Sequence, residues 1–276
     1  MTSTPPKIHP SAVIAPGAEL GPGVEVGPYA VIGSQVRIGA NSTIGPHAVV
    51  EGRTTIGCDN HIFQFASVGA IPQDKKYQGE DSELIIGDGN AIREFATLHL
   101  GTKGGGMVTR VGNQNLFMNY SHVAHDCQIG DHVVLANGAT LAGHVTVESF
   151  GTVGGVVAIH QFTRIGELAL LAGGAMVSQD VPPYCTATGD RAHLHGLNLI
   201  GLKRRRLSPD EISALKKAYR ILFAEGLSLK EALTRLQEDV SSSPTVAHLA
   251  EFIAASQRGL CRPRGTADSE GEDELL

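Results

Sequence analysis

The 276-residue sequence has no tryptophan, and aromatic residues make up only 5% of it. Aliphatic side chains therefore have to supply the core. Charge is scarce at 18%, and the formal net charge of −6 argues against nucleic acid as a partner. No apolar run reaches the ~18 residues of a membrane span, and the first ten residues are polar and proline-rich rather than a secretory leader. A cytoplasmic chain without a membrane span is expected. The four cysteines, Cys58, Cys127, Cys185 and Cys261, lie far apart without metal or redox spacing, which reads most of them as buried small hydrophobes.

What the sequence does have is a beat of six. Aliphatic residues recur as Ile8, Ile14, Leu20, Val26, Ile32, Ile38, Ile44, Val50, Ile56, Ile62 and Val68, then as Ile86, Ile92 and Leu98. The beat restarts at Val111 and Phe117 and runs on to Val177. A period of six fits neither a lone amphipathic helix nor a hairpin sheet. It suits a parallel β-helix in which three hexads make one triangular coil, with small residues such as Ala30, Ala48 and Ser121 fitting the narrow interior. The period does not set the hand of the coil, and the general crossover rule favours right-handed turns.

Two polar interruptions break the beat, near 69–84 and 101–110. Long loops on a rigid stack are often functional. Gly104-Gly105-Gly106 in the second lacks the Lys-Ser/Thr ending of a phosphate loop and the helix that follows one. After Val177 the beat fades, which places the coils in residues 1–184 and an α-helical C-terminal domain in 185–261. Ser208-Pro209-Asp210-Glu211 signals a capped helix running to about Ala224, Ser228 with Glu231 repeats the signal, and a third helix is expected from Thr245 to Gln257. Residues 262–276 read as a disordered acidic tail.

Residues about eighteen apart occupy equivalent places on successive coils. This puts His99, His125, His144 and His160 in the third hexad of their coils, with His122 just before it, so five imidazoles gather along one side of the prism. An imidazole accepts and returns a proton near neutral pH. Asp126 adjoins His125, but neighbours on a regular strand point to opposite faces, so the pair cooperates only if it sits at a bend. Zinc is a competing use of such a cluster; no compact metal spacing supports it, and no metal is expected. A purely structural or non-catalytic binding β-helix is the reading from a different class.

The segments His122-Val-Ala-His125-Asp126-Cys127, Leu135-Ala-Asn137-Gly-Ala-Thr140-Leu-Ala-Gly143-His144, His160-Gln161-Phe162 and Gln179-Asp180-Val181-Pro182-Pro183-Tyr184 closely resemble the acyl-carrier-protein-dependent UDP-N-acetylglucosamine O-acyltransferases of lipid A biosynthesis. Gln64-Phe65-Ala66-Ser67, Gln73-Asp74-x-Lys76-Tyr77 and Gly201-Leu202-Lys203-Arg204-Arg205 extend the likeness from about His9 to Leu260.

The resemblance implies a left-handed parallel β-helix and a homotrimer with active sites between neighbouring copies, in the cytoplasm of a Gram-negative bacterium. It implies transfer of an (R)-3-hydroxyacyl group from acyl carrier protein to the 3-hydroxyl of UDP-N-acetylglucosamine. No cofactor is implied, since the phosphopantetheine arrives on the donor. By the same resemblance His125 is the general base, Asp126 supports its imidazolium, and the Gly143 N–H stabilises the oxyanion. Gln73, Asp74, Lys76, His99, His122, His144, His160 and Gln161 would hold sugar or donor, and Asn198, Arg204 and Arg205 the nucleotide and diphosphate. The basic run Lys203 to Arg206 suits an acidic carrier protein. Gly173 stands where the family measures acyl length, and a glycine there leaves room for a long chain such as hydroxymyristoyl. Arg191 and Ile200 depart from the family pattern, near the acyl end and the nucleotide. The nearest rivals are N-acylation of a UDP-3-amino sugar and the later N-acyltransferase of the same pathway. The latter carries an extra N-terminal domain, for which hexads starting by Ile8 leave no room.

Overall fold

The computed structural model describes residues 4–240 and 243–264. Every residue of the six-residue beat lies in a short strand, and these strands stack in parallel on three faces, which among the described residues are sheets of eleven, nine and eight strands. Successive strands in the chain belong to the first, second and third face in turn, which makes a triangular left-handed β-helix. The beat residue of each strand points inward: Ile32, Val50, Leu98 and Leu141 are fully buried, while their strand neighbours face out. Alternation over two residues is enough, because the next corner turns the chain before a third is needed.

The eighteen-residue register holds in the early coils, as Glu25 with Thr43 and Val31 with Val49. It stretches where the loops enter. Partners lie 30 residues apart across the first loop, Asn60 with Asn90, and 25 across the second, Asn90 with Asn115. These three buried asparagines replace the small interior residue at the third–first corner. Asn90 Nδ2 and N donate to Asn60 Oδ1 at 2.9 Å, and Asn90 Oδ1 accepts from Asn115 N at 2.9 Å. The ladder ends at Val133 N, which donates to Asn115 Oδ1.

Past Tyr184 the first face continues. Cys185–Thr188 pairs in parallel with Leu170–Leu171 and then antiparallel with His193–Leu197, closing the sheet. Among the described residues four helices follow: α1 (Leu199–Arg204), α2 (Pro209–Phe223), α3 (Leu229–Val240) and α4 (Pro244–Ala254). The expected capping box is present at α2, where Ser208 Oγ accepts from Glu211 N and the Glu211 carboxylate accepts from Ser208 N. Ser228 and Glu231 do the same at α3. The third expected helix is α4, three residues shorter at its end than the pattern suggested, with Val246, Leu249, Phe252 and Ile253 buried. The short α1 and the strands at 185–197 carry no periodicity long enough to read from sequence. Of the expected tail, 265–276 lies outside the described residues.

The helices dock on the coils through a polar junction. His248 of α4 has Nε2 3.1 Å from Glu148 and Nδ1 3.4 Å from Glu167, while the Tyr184 hydroxyl lies 2.9 Å from Nδ1. Arg164 stacks on the Phe252 ring at 4.1 Å. The hydrogen bond to Glu148 raises the His248 pKa, burial partly opposes it, and Glu148 and Glu167 add charge attraction. A raised imidazole pKa stabilises the fold fully below the unfolded value of about 6.5 and loses that contribution as pH rises through the folded value. The melting temperature of the wild type is therefore expected to fall over that window more steeply than that of His248→Gln. Parallel melting curves of the two proteins would contradict it.

Candidate active site

His125 and Asp126 lie in the turn between the second and third faces, directly after the strand His122–Val123. Asp126 has φ of 62°, so the chain reverses there and brings both side chains to one side. His125 Nδ1 is 2.8 Å from Asp126 Oδ2, the bend that cooperation required. The Asp126 side chain is fully buried and that of His125 is 15% exposed.

The second loop holds the carboxylate in place. Thr102 N donates to Asp126 Oδ1 at 2.9 Å, and Thr102 Oγ1 to Oδ2 at 2.6 Å. Asp126 N in turn donates to Thr109 Oγ1. A side chain at Gly105 would collide with the Asp126 carboxyl, which accounts for a glycine that has no phosphate to cradle. Neither Thr102 nor Thr109 was visible as a site residue in the sequence; their signal was only that they lie in or beside a loop interrupting the beat. Thr102→Val removes one donor from Asp126 and leaves its charge to act on His125. The kcat is expected to fall roughly tenfold with the melting temperature little changed; an unchanged kcat would assign Thr102 to loop structure alone.

One coil further on, an added Cβ at Gly143 would lie 2.5 Å from His125 Cε1 and 2.7 Å from Nε2. Glycine is required there by the imidazole itself. Among the described residues no acceptor takes the Gly143 N–H, and the same place in the turn is Pro16 at this corner and Pro22, Pro28 and Pro46 at the other two, so the fold has no use for a donor there. His144 stacks on Phe162, one coil above, at 4.3 Å and meets the His125 ring edge-on at 5.1 Å.

Burial disfavours the charged form of three neighbouring imidazoles. Burial lowers the His99 pKa to about 4, with His122 and His125 adding repulsion. Burial also lowers His122, helped by His125, and lowers His144, opposed by the Asp126 and Asp74 carboxylates. Within the first loop Asp74 Oδ1 accepts from Lys76 N at 2.9 Å, while Gln73 and Lys76 are exposed. His122 Nδ1 lies 2.7 Å from Thr97 Oγ1, and His99 and His122 meet edge-on at 5.0 Å. Gln161 is exposed beside Phe162. His160 lies against the helical region, 3.1 Å from an Arg258 nitrogen.

Asn198, Arg204 and Arg205 are on a different corner, between the third and first faces. They line a cleft of about 620 Å³ with His132, Phe150 and Ile200. Arg205 lies 3.6 Å over Phe150, which itself stacks on His132. Asn198 caps α1 through Oδ1 and donates to Leu168 O. His132 and Phe150 escaped the sequence reading, although they are eighteen apart and so share a corner. Gly173 is at the third corner, where an added Cβ meets nothing nearer than Gly155 O at 3.4 Å.

His125, Asp126 and His144 also form a possible three-ligand metal group, their donor atoms all within 4.8 Å. The arrangement serves hydrogen bonding: His125 Nδ1 is at hydrogen-bond distance from Asp126 Oδ2, which Thr102 also engages, and His144 Nε2 is 3.8 Å away.

Residues 17–52 and 109–143 match the bacterial transferase hexapeptide family, and residues 180–261 match the second domain of UDP-N-acetylglucosamine O-acyltransferase. An acyl-[acyl-carrier-protein]–UDP-N-acetylglucosamine O-acyltransferase of Janthinobacterium is 55% identical, over 92% of this chain and 99% of that protein. The chain belongs to the UDP-N-acetylglucosamine O-acyltransferase family. Another such enzyme, from Myxococcus xanthus, is 56% identical over 76% of this chain and 82% of its own. The crystal structure of the Francisella novicida UDP-N-acetylglucosamine acyltransferase superposes with a TM-score of 0.91 at 39% identity, covering 94% of this chain and 95% of that one. The acyltransferase-specific match starts at Asp180, just after the last residue of the six-residue beat, Val177. Among the described residues no helix is long and apolar enough to cross a membrane.

Proposed function

We propose that the chain transfers an (R)-3-hydroxyacyl group from acyl carrier protein to the 3-hydroxyl of UDP-N-acetylglucosamine, the first step of lipid A biosynthesis, with His125 as general base. The observation that carries the mechanism is the His125–Asp126 bond at the turn, with Gly143 packed against the far side of the same imidazole. Asp126 holds the proton on Nδ1 and leaves Nε2 as the base. Nε2 takes the proton of the sugar 3-hydroxyl as that oxygen attacks the thioester carbonyl carbon. The carbonyl oxygen becomes an oxyanion, which the Gly143 N–H receives. Collapse breaks the carbon–sulfur bond, and the departing phosphopantetheine thiolate recovers the proton from His125. No acyl-enzyme, resident metal or cofactor takes part.

Neutral His99, His122 and His144 can each donate and accept toward sugar hydroxyls without repelling the imidazolium that forms at His125. Arg204 and Arg205 supply charge for the diphosphate, and with Lys203 and Arg206 form an exposed patch for the acidic carrier protein. One chain places the base and these arginines on different corners of the prism, so a single sugar nucleotide reaches both only between copies; this supports a homotrimer. Measuring thiol release and product mass with UDP-N-acetylglucosamine and with its 3-amino analogue tests the reading. Turnover of the hydroxyl acceptor is expected, and turnover of the amine alone would overturn it in favour of N-acylation.

The open space at Gly173 is the basis for a long acyl chain. Gly173→Met fills it, and the preference for hydroxymyristoyl over hydroxydecanoyl carrier protein is expected to fall by roughly tenfold or more in kcat/KM. An unchanged ratio would remove Gly173 from the acyl slot.

A further inference from the structure

We infer that Arg258 is a positioning residue for the transfer reaction: it fixes the tautomer of His160, so that the Nε2–H of that ring faces the bound substrate as a donor. The inference rests on the reaction proposed above and assigns the part that the C-terminal region plays in it. Arg258 lies in the segment after α4, and its Nη2 is 3.1 Å from His160 Nδ1 and 3.2 Å from Ser178 O.

That segment is tied to the last coil through Asp180. Asp180 N donates to Gly259 O and Cys261 N donates to Asp180 O, both at 2.9 Å. The Asp180 carboxylate, 1% exposed, accepts from Arg164 N at 2.8 Å and from Ser256 Oγ at 2.7 Å. On the coils below, the residue at this place in the turn donates to the coil beneath it, His144 N to His125 O and Phe162 N to Gly143 O. Asp180 breaks the series by turning to Gly259. The top of the second–third corner is therefore joined to the C-terminal segment, and Arg258 is held over Ser178 and His160.

A guanidinium carries only donors. The nitrogen it meets has to supply a lone pair, which puts the hydrogen of the neutral His160 ring on Nε2. A second contact asks for the reverse: Nδ1 is also 3.1 Å from Gln161 O, which only accepts. The two bonds exclude each other. A charged donor makes the bond about twice as strong. Gln161 is exposed, so water can take its carbonyl instead. Arg258 has less access to water, since its Nε is buried and has no partner among the described residues, which leaves Nη2 to anchor the group.

His160 opens the turn after the strand Ala158–Ile159, two coils above the strand His122–Val123. At about 4.8 Å per coil it lies roughly 10 Å from the rung of His125, too far to exchange a proton with the hydroxyl held there. His160 is exposed, and its Nε2 has no partner among the described residues. A donor so placed suits a substrate oxygen away from the reacting carbon, on the sugar nucleotide or at an amide carbonyl of the pantetheine arm. Without Arg258 the hydrogen moves to Nδ1 for Gln161, and Nε2 turns a lone pair on that oxygen.

NMR of protein carrying ring-¹⁵N histidine, recorded at alkaline pH, reads the tautomer directly, and the spectrum of His160→Gln assigns the signals. The wild type is expected to carry the hydrogen on Nε2, and Arg258→Met to carry it on Nδ1. Arg258→Met is expected to lower kcat/KM roughly three- to tenfold, the worth of one hydrogen bond, and to change nothing further in a His160→Gln background. The loss should fall on one KM, and whether it is that of the sugar nucleotide or of the acyl carrier protein names the substrate that Nε2 meets. A wild-type ring with its hydrogen on Nδ1 overturns the inference. So does a loss confined to kcat, and so do losses that add in the double variant, as they would for an arginine with a structural role alone. Should Arg258→Met not fold, the wild-type tautomer decides. A wild type that transfers no acyl group overturns the reaction instead, and the ring spectrum still reads the tautomer.

Discussion

His125→Ala is expected to lower kcat by roughly 10²–10⁴-fold, the range lost with a positioned general base. The fold should be untouched, because the imidazole sits at a turn on the rim of the coil and contributes nothing to the buried aliphatic stack. The KM for the sugar nucleotide should change little, since the arginines proposed to bind its diphosphate lie on another corner. Asp126→Asn is a less clean experiment. It would disturb the tautomer of His125 and also the bonds from Thr102 that anchor the second loop. Steady-state kinetics with hydroxyacyl carrier protein as donor, alongside melting curves, check this. A variant retaining more than about a tenth of the wild-type kcat would remove His125 from proton transfer.

Gly143→Ala is the second large effect, and it comes from geometry rather than from a lost functional group. The added methyl would stand 2.5 Å from His125 Cε1, well inside van der Waals contact, while Asp126 holds the other side of the ring at 2.8 Å. The ring or the turn must move by the better part of an ångström, and a displacement of that size at reacting groups costs about 10²-fold. The backbone N–H proposed for the oxyanion would move with it. Gly104→Ala in the neighbouring loop is the control, because its Cβ would meet only Thr102 Oγ1 at 3.9 Å. A Gly143→Ala enzyme as active as the Gly104→Ala enzyme would mean that the site tolerates what the packing forbids.

The coils were legible because one physical requirement repeats. Each short strand buries one aliphatic residue, so Ile8 through Val177 spell out the architecture, and spacing by eighteen brings His99, His122, His125 and His144 to one side. The bend at Asp126 was not legible, since its left-handed φ is a property of the turn and nothing in His-Asp marks it. Thr102 and Thr109 were hidden because the inserted loop folds back across coils rather than along them. The third–first corner divided the same way: the basic run was visible, but α1 is too short for a periodic pattern, and the cleft beside Phe150 exists only once α1 lies on it.

The central claim is that an imidazole–carboxylate pair works here as a base without a metal, although His125, Asp126 and His144 lie close enough to bind one. The decisive measurement is acyl transfer to UDP-N-acetylglucosamine by wild-type protein exhaustively stripped with EDTA and assayed in chelator across the pH range. Full turnover, unchanged by added zinc, is the predicted result. Turnover lost on stripping and restored by zinc would contradict the account.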